Sequence, residues 1–221
     1  MDNFGSEYAK MYDLFHGNKN YKKEALELLE LLGYPEKNSY LLDFGCGSGM
    51  HLKALTDIGY KVDGYDKSRD MINLAKLRLP NANLTSNLAE LIQKYDFVYS
   101  LFDVMSYQKS NKELENYFLE LASVTKVGGC IVVDGWNKSG LESSPPIVTS
   151  RSVKFGNQKI ERRVVPVKSK YEHTYNLTIS LREEPNNSEI VSELHVMRAW
   201  SIEEVKNASK KYGLEVISSY V

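Results

Sequence analysis

Between residues 40 and 134 short apolar runs alternate with amphipathic stretches, and this alternation limits the fold more than any other feature of the chain. YLLDF (40–44) is a brief apolar run stopped by glycine, and HLKALTDIG (51–59) follows with helical spacing and closes on Gly59. YKVDGYD (60–66) reads as a second strand. Ser68 then caps a helix over RDMINLAKLRL, which Pro80 stops. A weak strand at 82–86 and a strong one in YDFVYSLF (95–102) continue the rhythm. NKELENYFLELASVTK (111–126) is amphipathic through Leu114, Phe118, Leu121 and Val124, and Gly128-Gly129 leads into the buried strand CIVVDGW. Apolar strands separated by helices imply a mostly parallel sheet, doubly wound, with helices on both faces.

The flanks carry different patterns. YKKEALELLELL (21–32) puts Ala25, Leu28, Leu29 and Leu32 on one helical face, with Gly33 as the stop. After Asp134 the rhythm breaks. Residues 135–150 read as loop, stiffened by Pro145-Pro146. RSVKF, KIERRVVPVKSKY, HTYNLTISLRE and EIVSELHVMRAW then alternate polar and apolar residues, and GNQ and EEPNNS look like hairpin turns. An antiparallel β insert after the fifth strand is therefore expected. Ser201 and Glu204 form a capping box for a last helix that Gly213 ends, and LEVISSYV reads as a final strand. The expected organisation is a helical segment over 1–39, a core over 40–134 and 201–221, and the insert over 135–200.

Composition narrows the functional classes. A net charge of −1 gives no general attraction to nucleic acid or to an anionic membrane. Cys46 and Cys130 make no disulfide framework, and both read as reduced and buried. MDNFGSEYAK has neither a basic start nor an apolar stretch of the kind that directs secretion, and no run is long enough to span a bilayer. A cytoplasmic location and a small-molecule partner are the expectations.

The turn after the first strand is LLDFGCGSG (41–49). Its glycines, Gly45, Gly47 and Gly49, have G-x-G-x-G spacing, whereas a dinucleotide fingerprint needs G-x-G-x-x-G and here meets Met50. The Gly-Lys-Ser/Thr ending of a phosphate loop is also missing. Asp43, at the tip of the first strand, would repel a phosphate but suits an ammonium group. Asp66 ends the neighbouring strand and is placed to accept from both hydroxyls of a ribose. A ligand with an amino group at one end and a nucleoside at the other satisfies both acids, and S-adenosylmethionine is such a ligand.

LLDFGCGSG followed by VDGYDKSRDMINLAK, YDFVYSLFDVMSY and GGCIVVDGW resembles the class I S-adenosylmethionine-dependent methyltransferases over residues 40–136. The resemblance implies a Rossmann-like sheet and a definite set of cofactor contacts. Gly45, Cys46, Gly47 and Gly49 would pass under the methionine part, with Asp43 near its amino group. Asp66 would hold the ribose, Lys67 or its neighbour would flank the adenine, and Leu101 would complete the site. An acid after the third strand usually meets the adenine edge; SNLAEL stands there, which makes Asn87 and Leu88 the candidates.

Outside the core, EYAKMYDLFHGNKNYKKEA, SLFDVMSY and the β insert are similar to the N-methyltransferases and N,N-dimethyltransferases of nucleotide-linked amino sugars. That similarity implies an N-terminal lid, with Tyr12 and Tyr21 near the sulfonium, where an aromatic face attracts a cation. Phe102, Tyr107 and Trp136 would line the acceptor pocket, Asp103 would face the substrate, and His173 and Arg198 would be further acceptor contacts; Tyr12, Tyr21, Asp103 and Tyr107 are the catalytic candidates. His16, His173 and His195 are the available bases. The Asp/Asn-Pro-Pro-Tyr motif of base and glutamine methylation is absent, and Asp103, Asp134 and Asn137 are too loosely spaced to predict a metal.

The expected activity is methyl transfer to a nitrogen or oxygen of a small molecule, with a nucleotide-linked sugar as the finer expectation. A non-catalytic S-adenosylmethionine-binding regulator, another small-amine N-methyltransferase and an aminopropyltransferase are the alternatives. A homodimer through the insert is also expected. The family continues past a sixth strand into a reversed seventh; the sequence given ends at Val221, so either it stops short of that strand or an insert strand takes its place.

Overall fold

The computed structural model describes residues 4–220. Five parallel strands make the central sheet: β1 (Tyr40–Phe44), β2 (Lys61–Tyr65), β3 (Leu84–Thr85), β4 (Tyr95–Ser100) and β5 (Thr125–Val133), in the order β3-β2-β1-β4-β5. The order reverses between β1 and β4. In an open parallel sheet the crevice at such a reversal is where ligands bind.

Successive residues of β1 serve opposite faces. Leu41 enters a core with Ala25, Leu28 and Leu29 of α2 (Tyr21–Leu31) and with Leu52 and Leu55 of α3 (Met50–Asp57). Leu42 and Phe44 enter a second core with Leu114, Phe118 and Leu121 of α5 (Asn111–Val124) and Val205 of α7 (Ile202–Lys210). Helix α4 (Arg69–Arg78) completes the first face through Ile72 and Ala75. Leu121 is fully buried; truncating such a side chain to Ala costs about 2–5 kcal/mol.

The insert forms a separate antiparallel sheet of β6 (Thr149–Phe155), β7 (Gln158–Lys168), β8 (Thr174–Glu184) and β9 (Ser188–Arg198), in sequence order. Its inner face shares a third core with α1 (Ser6–His16). Tyr8 and Phe15 pack there with Ile160, Leu177, Ile179, Leu181 and Met197. The N-terminal helix is thus held by the insert, although well over a hundred residues separate them. Among the described residues, no helix is long and apolar enough to cross a membrane.

Four expectations change. Residues 214–220 of LEVISSYV form no strand. Leu214 donates its N–H to the Ser209 carbonyl at 3.3 Å, and Leu214 and Val216 lie on the second core, so the segment ends as a strap. No insert strand takes the place beside β5 either, because the four insert strands pair only with one another among the described residues. Residues 135–150 are not all loop: Asn137 caps α6 (Lys138–Ser143) by accepting the Gly140 N–H at 2.6 Å. The strand expected at 82–86 shortens to two residues.

Candidate active site

The glycine turn stands at the C-terminal end of β1. Gly45, Gly47 and Gly49 have φ of 88°, 52° and 80°, the left-handed region that side chains disfavour. The Gly45 and Cys46 N–H groups donate to the Tyr65 carbonyl at 2.7 and 2.9 Å, which ties the turn to β2. A Cβ on Gly45 would strike Val104 at 2.6 Å, whereas one on Gly47 would meet nothing within 4 Å. Gly47 therefore borders open space into which a ligand can come close to backbone.

Asp43 is 2% exposed, and its Oδ2 has no hydrogen-bond partner. It sits opposite Tyr99 of β4, whose buried hydroxyl is near enough to steady the carboxylate but makes no well-formed hydrogen bond to it. Burial pushes the Asp43 carboxyl up to about 8; Tyr99 opposes the rise and Asp66 adds to it. A buried acceptor without a donor is costly unless a ligand supplies one. Asp66 accepts the Gly47 N–H on Oδ2 and the Ser68 N–H on Oδ1, both at 2.8 Å. Burial raises its carboxyl, and these two backbone donors oppose the rise. Each oxygen keeps a further lone pair for a hydroxyl donor. Cys46 is buried with its thiol pushed up by burial, and Leu101 packs against the first core. A groove beside the tips of β2 and β3 is lined by Tyr65, Arg69, Lys76, Asn87, Leu88 and Glu90. Asn87 there caps a short 3-10 turn, accepting from the Ala89 N–H at 3.2 Å.

The second half of the site is aromatic. The Tyr12 ring lies 4.4 Å from His16, 5.9 Å from Phe4 and 6.1 Å from Tyr8. Burial holds its phenol well above the ordinary range, with Tyr21, Tyr8, Tyr107 and Asp66 adding to the effect. Tyr21 donates to the His16 carbonyl at 3.1 Å, and the His16 ring lies 5.4 Å from Phe102. His16 is pulled down to about 4 by burial and then by Arg162, Lys19 and Arg151, so its ring is neutral at pH 7.

Phe102 and Asp103, directly after β4, both adopt positive φ, at 71° and 65°. Two consecutive left-handed non-glycine residues are strained, and the surroundings must hold them. Asp134 does so: its carboxylate accepts the Phe102 N–H at 2.9 Å and the Asp103 N–H at 2.7 Å. Burial, and then Asp134, push Asp103 up to about 6, against an opposing pull from Trp136 and Lys19. Beyond this loop the Tyr107 hydroxyl is 2.9 Å from His195 Nδ1, while Trp136 is anchored through its N–H to Ser106 Oγ at 2.7 Å. Tyr12, Tyr107 and Trp136 all border the core shared by α1 and the insert.

Three expected contacts lie elsewhere. Lys67 reaches out to Glu120 at 3.5 Å with 67% of its side chain exposed, because its stem lies on the α5 side rather than over the crevice. Arg198 stacks 4.0 Å above Trp200 and donates to the Lys109 carbonyl and Asn111 at 3.3 Å, which spends its guanidinium on joining β9 to the start of α5. His173 faces Glu142 of α6 at 3.8 Å, and its carbonyl accepts the Ala199 N–H. Its place in the turn before β8 directs it to α6. Conversely, Asp13 was not expected in the site. It accepts from Ser48 Oγ at 2.6 Å and pairs with Arg78 Nη2 at 2.6 Å, latching α1 over the glycine turn. Glu90, in the groove, and Glu193, beside His195, were also missed; no local motif marks either. Among the described residues, no group of three or more His, Cys, Asp or Glu is placed to hold a metal ion.

Residues 17–219 match a family model described as a methyltransferase domain. A Streptomyces venezuelae dTDP-3-amino-3,4,6-trideoxy-alpha-D-glucopyranose N,N-dimethyltransferase is 34% identical over 137 residues, 59% of this chain and 57% of the relative. A Streptomyces fradiae dTDP-3-amino-3,6-dideoxy-alpha-D-glucopyranose N,N-dimethyltransferase is 32% identical over 139 residues, 60% of this chain and 54% of the relative. The matched stretch thus spans little more than half of each relative's length. In fold, the chain is similar to the crystal structure of Streptomyces venezuelae DesVI, with a TM-score of 0.79 and 24% identity over 96% of this chain and 92% of that one. It also resembles the sugar N-methyltransferase KedS8 from Streptoalloteichus, with a TM-score of 0.79 and 19% identity over 97% and 89%. With a glycine turn, two strand-tip acids and a family model that covers nearly its whole length, the chain belongs to the methyltransferase domain family.

Proposed function

We propose that this protein methylates the amino nitrogen of a nucleotide-linked amino sugar, with S-adenosylmethionine as the methyl donor. The observation that carries the donor assignment is Asp43, buried with one carboxylate oxygen unpartnered beside a glycine turn that opens onto free space. An ammonium group is the donor such an oxygen lacks. Asp66 would take the ribose hydroxyls, and the groove containing Asn87, Leu88 and Glu90 would take the adenine. S-adenosylmethionine supplies an activated methyl on a sulfonium; the chain's own residues hold the acceptor in line and exclude water. Such alignment alone can contribute about 7–11 kcal/mol.

Two features support a nucleotide-linked sugar as the acceptor. The site's second half is a set of aromatic rings under the lid helix, between Tyr12, Phe102, Tyr107 and Trp136. At its margin Arg151 and Arg162 stand directly opposite one another across β6 and β7, and neither is in an ion pair among the described residues. Like charges in that register repel. A diphosphate would relieve the repulsion, and Arg151 already donates to the Phe15 carbonyl at the end of α1 at 3.0 Å. The curated relatives act on dTDP-linked amino sugars, which carry that group.

Thermal denaturation with S-adenosylhomocysteine, S-adenosylmethionine and NAD tests the donor. The adenosyl ligands should raise Tm and NAD should not; stabilisation by NAD alone would refute the assignment. Asp66→Ala should remove the S-adenosylhomocysteine shift. Incubation with dTDP-3-amino-3,6-dideoxy-glucose should add methyl mass to the sugar, and methylation of small amines but not of this sugar would overturn the acceptor assignment.

A further inference from the structure

Tyr107, His195 and Glu193 form a continuous chain of hydrogen bonds. The Tyr107 hydroxyl is 2.9 Å from His195 Nδ1, and His195 Nε2 is 3.0 Å from Glu193 Oε2. His195 is 0% exposed, and β9 presents it opposite Leu177 on the strand face it shares with Glu193 and Met197. The Phe4 ring meets the imidazole edge-on at 5.0 Å, and the Tyr8 ring is 5.9 Å away. Glu193 also accepts the Phe4 N–H at 2.9 Å and the Gly5 N–H at 2.8 Å. A histidine buried at this cost, with both ring nitrogens bonded and one leading to an aromatic hydroxyl beside Tyr8 and Asp103, is more elaborate than packing requires.

The bonds have a definite polarity. Burial alone would raise the Glu193 carboxyl, but His195 and the two backbone donors outweigh it and hold it below its usual range. An ionised carboxylate only accepts, so Nε2 carries a hydrogen, and in the neutral ring Nδ1 presents a lone pair. Tyr107 must then donate its O–H to Nδ1. Its oxygen then keeps a lone pair with which to accept a further hydrogen bond. Around it stand Tyr8 and Arg162 from the lid and β7, Asp103 from the β4 loop, and Glu193.

We propose that this chain is a proton relay that removes a proton from the acceptor nitrogen, with Tyr107 as the catalytic residue and His195 and Glu193 as positioning residues. The inference rests on the amine acceptor proposed above. An alkyl amine is mostly ammonium at pH 7 and has no lone pair to attack with. One N–H bond of the ammonium breaks and its proton goes to Tyr107 Oη. The proton of Tyr107 passes to His195 Nδ1 as its O–H bond breaks. The positive charge moves from the sugar nitrogen to an imidazolium held between Tyr107 and the Glu193 carboxylate, and the nitrogen keeps its electron pair. Reversal of the same transfers delivers the proton to water after product leaves, and the relay is ready for a second methylation.

The test uses the full chain with S-adenosylmethionine and dTDP-3-amino-3,6-dideoxy-glucose, and compares Tyr107→Phe and His195→Gln with the original protein from pH 6 to 9. Glutamine still accepts the Tyr107 hydrogen bond but takes no proton. Both variants should keep the thermal shift with S-adenosylhomocysteine, lose about 30-fold or more in kcat at pH 7, recover roughly tenfold per pH unit toward pH 9, and accumulate monomethyl product. A rate unchanged, or lowered by the same factor at every pH, would overturn the relay. If His195→Gln loses the thermal shift, Tyr107→Phe, which removes a single oxygen, decides alone. If the original protein turns over no amino sugar, the acceptor proposal fails, and nitrogen NMR of His195 then judges the relay: an Nε2–H tautomer supports it and an Nδ1–H tautomer overturns it.

Discussion

Replacing Asp43 with Asn separates a donor-binding carboxylate from a merely buried one. In the free protein burial holds this carboxyl at about 8, against an ordinary value of 3.8. At pH 7 only about 9% of the molecules carry the carboxylate, so binding an ammonium there must expel about 0.9 proton. Affinity for S-adenosylhomocysteine should therefore climb roughly 50-fold from pH 6 to pH 8, about 2 kcal/mol, and level off above. Titration calorimetry in two buffers of different ionisation enthalpy reads both the slope and the expelled proton. Asp43→Asn should bind more weakly at pH 8 with no slope and no proton release. The unliganded protein provides a second reading of opposite sense. Between 3.8 and about 8 the folded chain binds more protons at this position than the unfolded chain, so its contribution to stability declines as pH rises. The Asn variant should accordingly melt higher than the original at pH 8 and not at pH 4. Proton-neutral binding by the original protein, or a slope that survives in Asp43→Asn, would refute the reasoning.

Other perturbations separate the roles of neighbouring groups. Asp134→Ala leaves the Phe102 and Asp103 N–H groups without their acceptor; steady-state kinetics should show kcat down about tenfold or more, with S-adenosylhomocysteine affinity within about twofold. Asp13→Asn loosens the latch to Ser48 and Arg78. Its ion pair is partly exposed and worth little by itself, so affinity for S-adenosylhomocysteine should fall only about fivefold, while limited proteolysis within the first 20 residues quickens. Arg198→Ala should lower Tm by about 2–4 °C through lost stacking on Trp200 and leave kcat and KM unchanged, since its guanidinium joins β9 to α5.

The central sheet was legible because its signals are local. A strand buried on both faces must be apolar throughout, a helix on its surface must repeat at 3.6 residues, and Ser68 and Ser201 announce their caps within four residues. The glycine turn was legible for a similar reason: three alternate glycines and two acids at known strand ends restrict the ligand chemistry before any coordinates exist. LEVISSYV shows where local pattern fails. Its alternation suits a strand, yet a strand exists only with a partner to pair with; here Leu214 and Val216 lie on the second core while Ile217 and Tyr220 stay exposed.

What tertiary structure decided is the aromatic half of the site. Tyr12 and Tyr107 come together only because the insert sheet packs on the N-terminal helix, a meeting that no periodicity encodes. Lys67 and Arg198 carry the right charge for the roles expected of them, but the direction of a side chain depends on which neighbours its element acquires. His195 is the clearest case. In the sequence it is one histidine among four, in a strand of ordinary alternation. Its bonds to a tyrosine 88 residues away and to a glutamate two residues before it arise only when β9 folds against the β4 loop, because hydrogen-bond geometry is set by position in space and not by order along the chain.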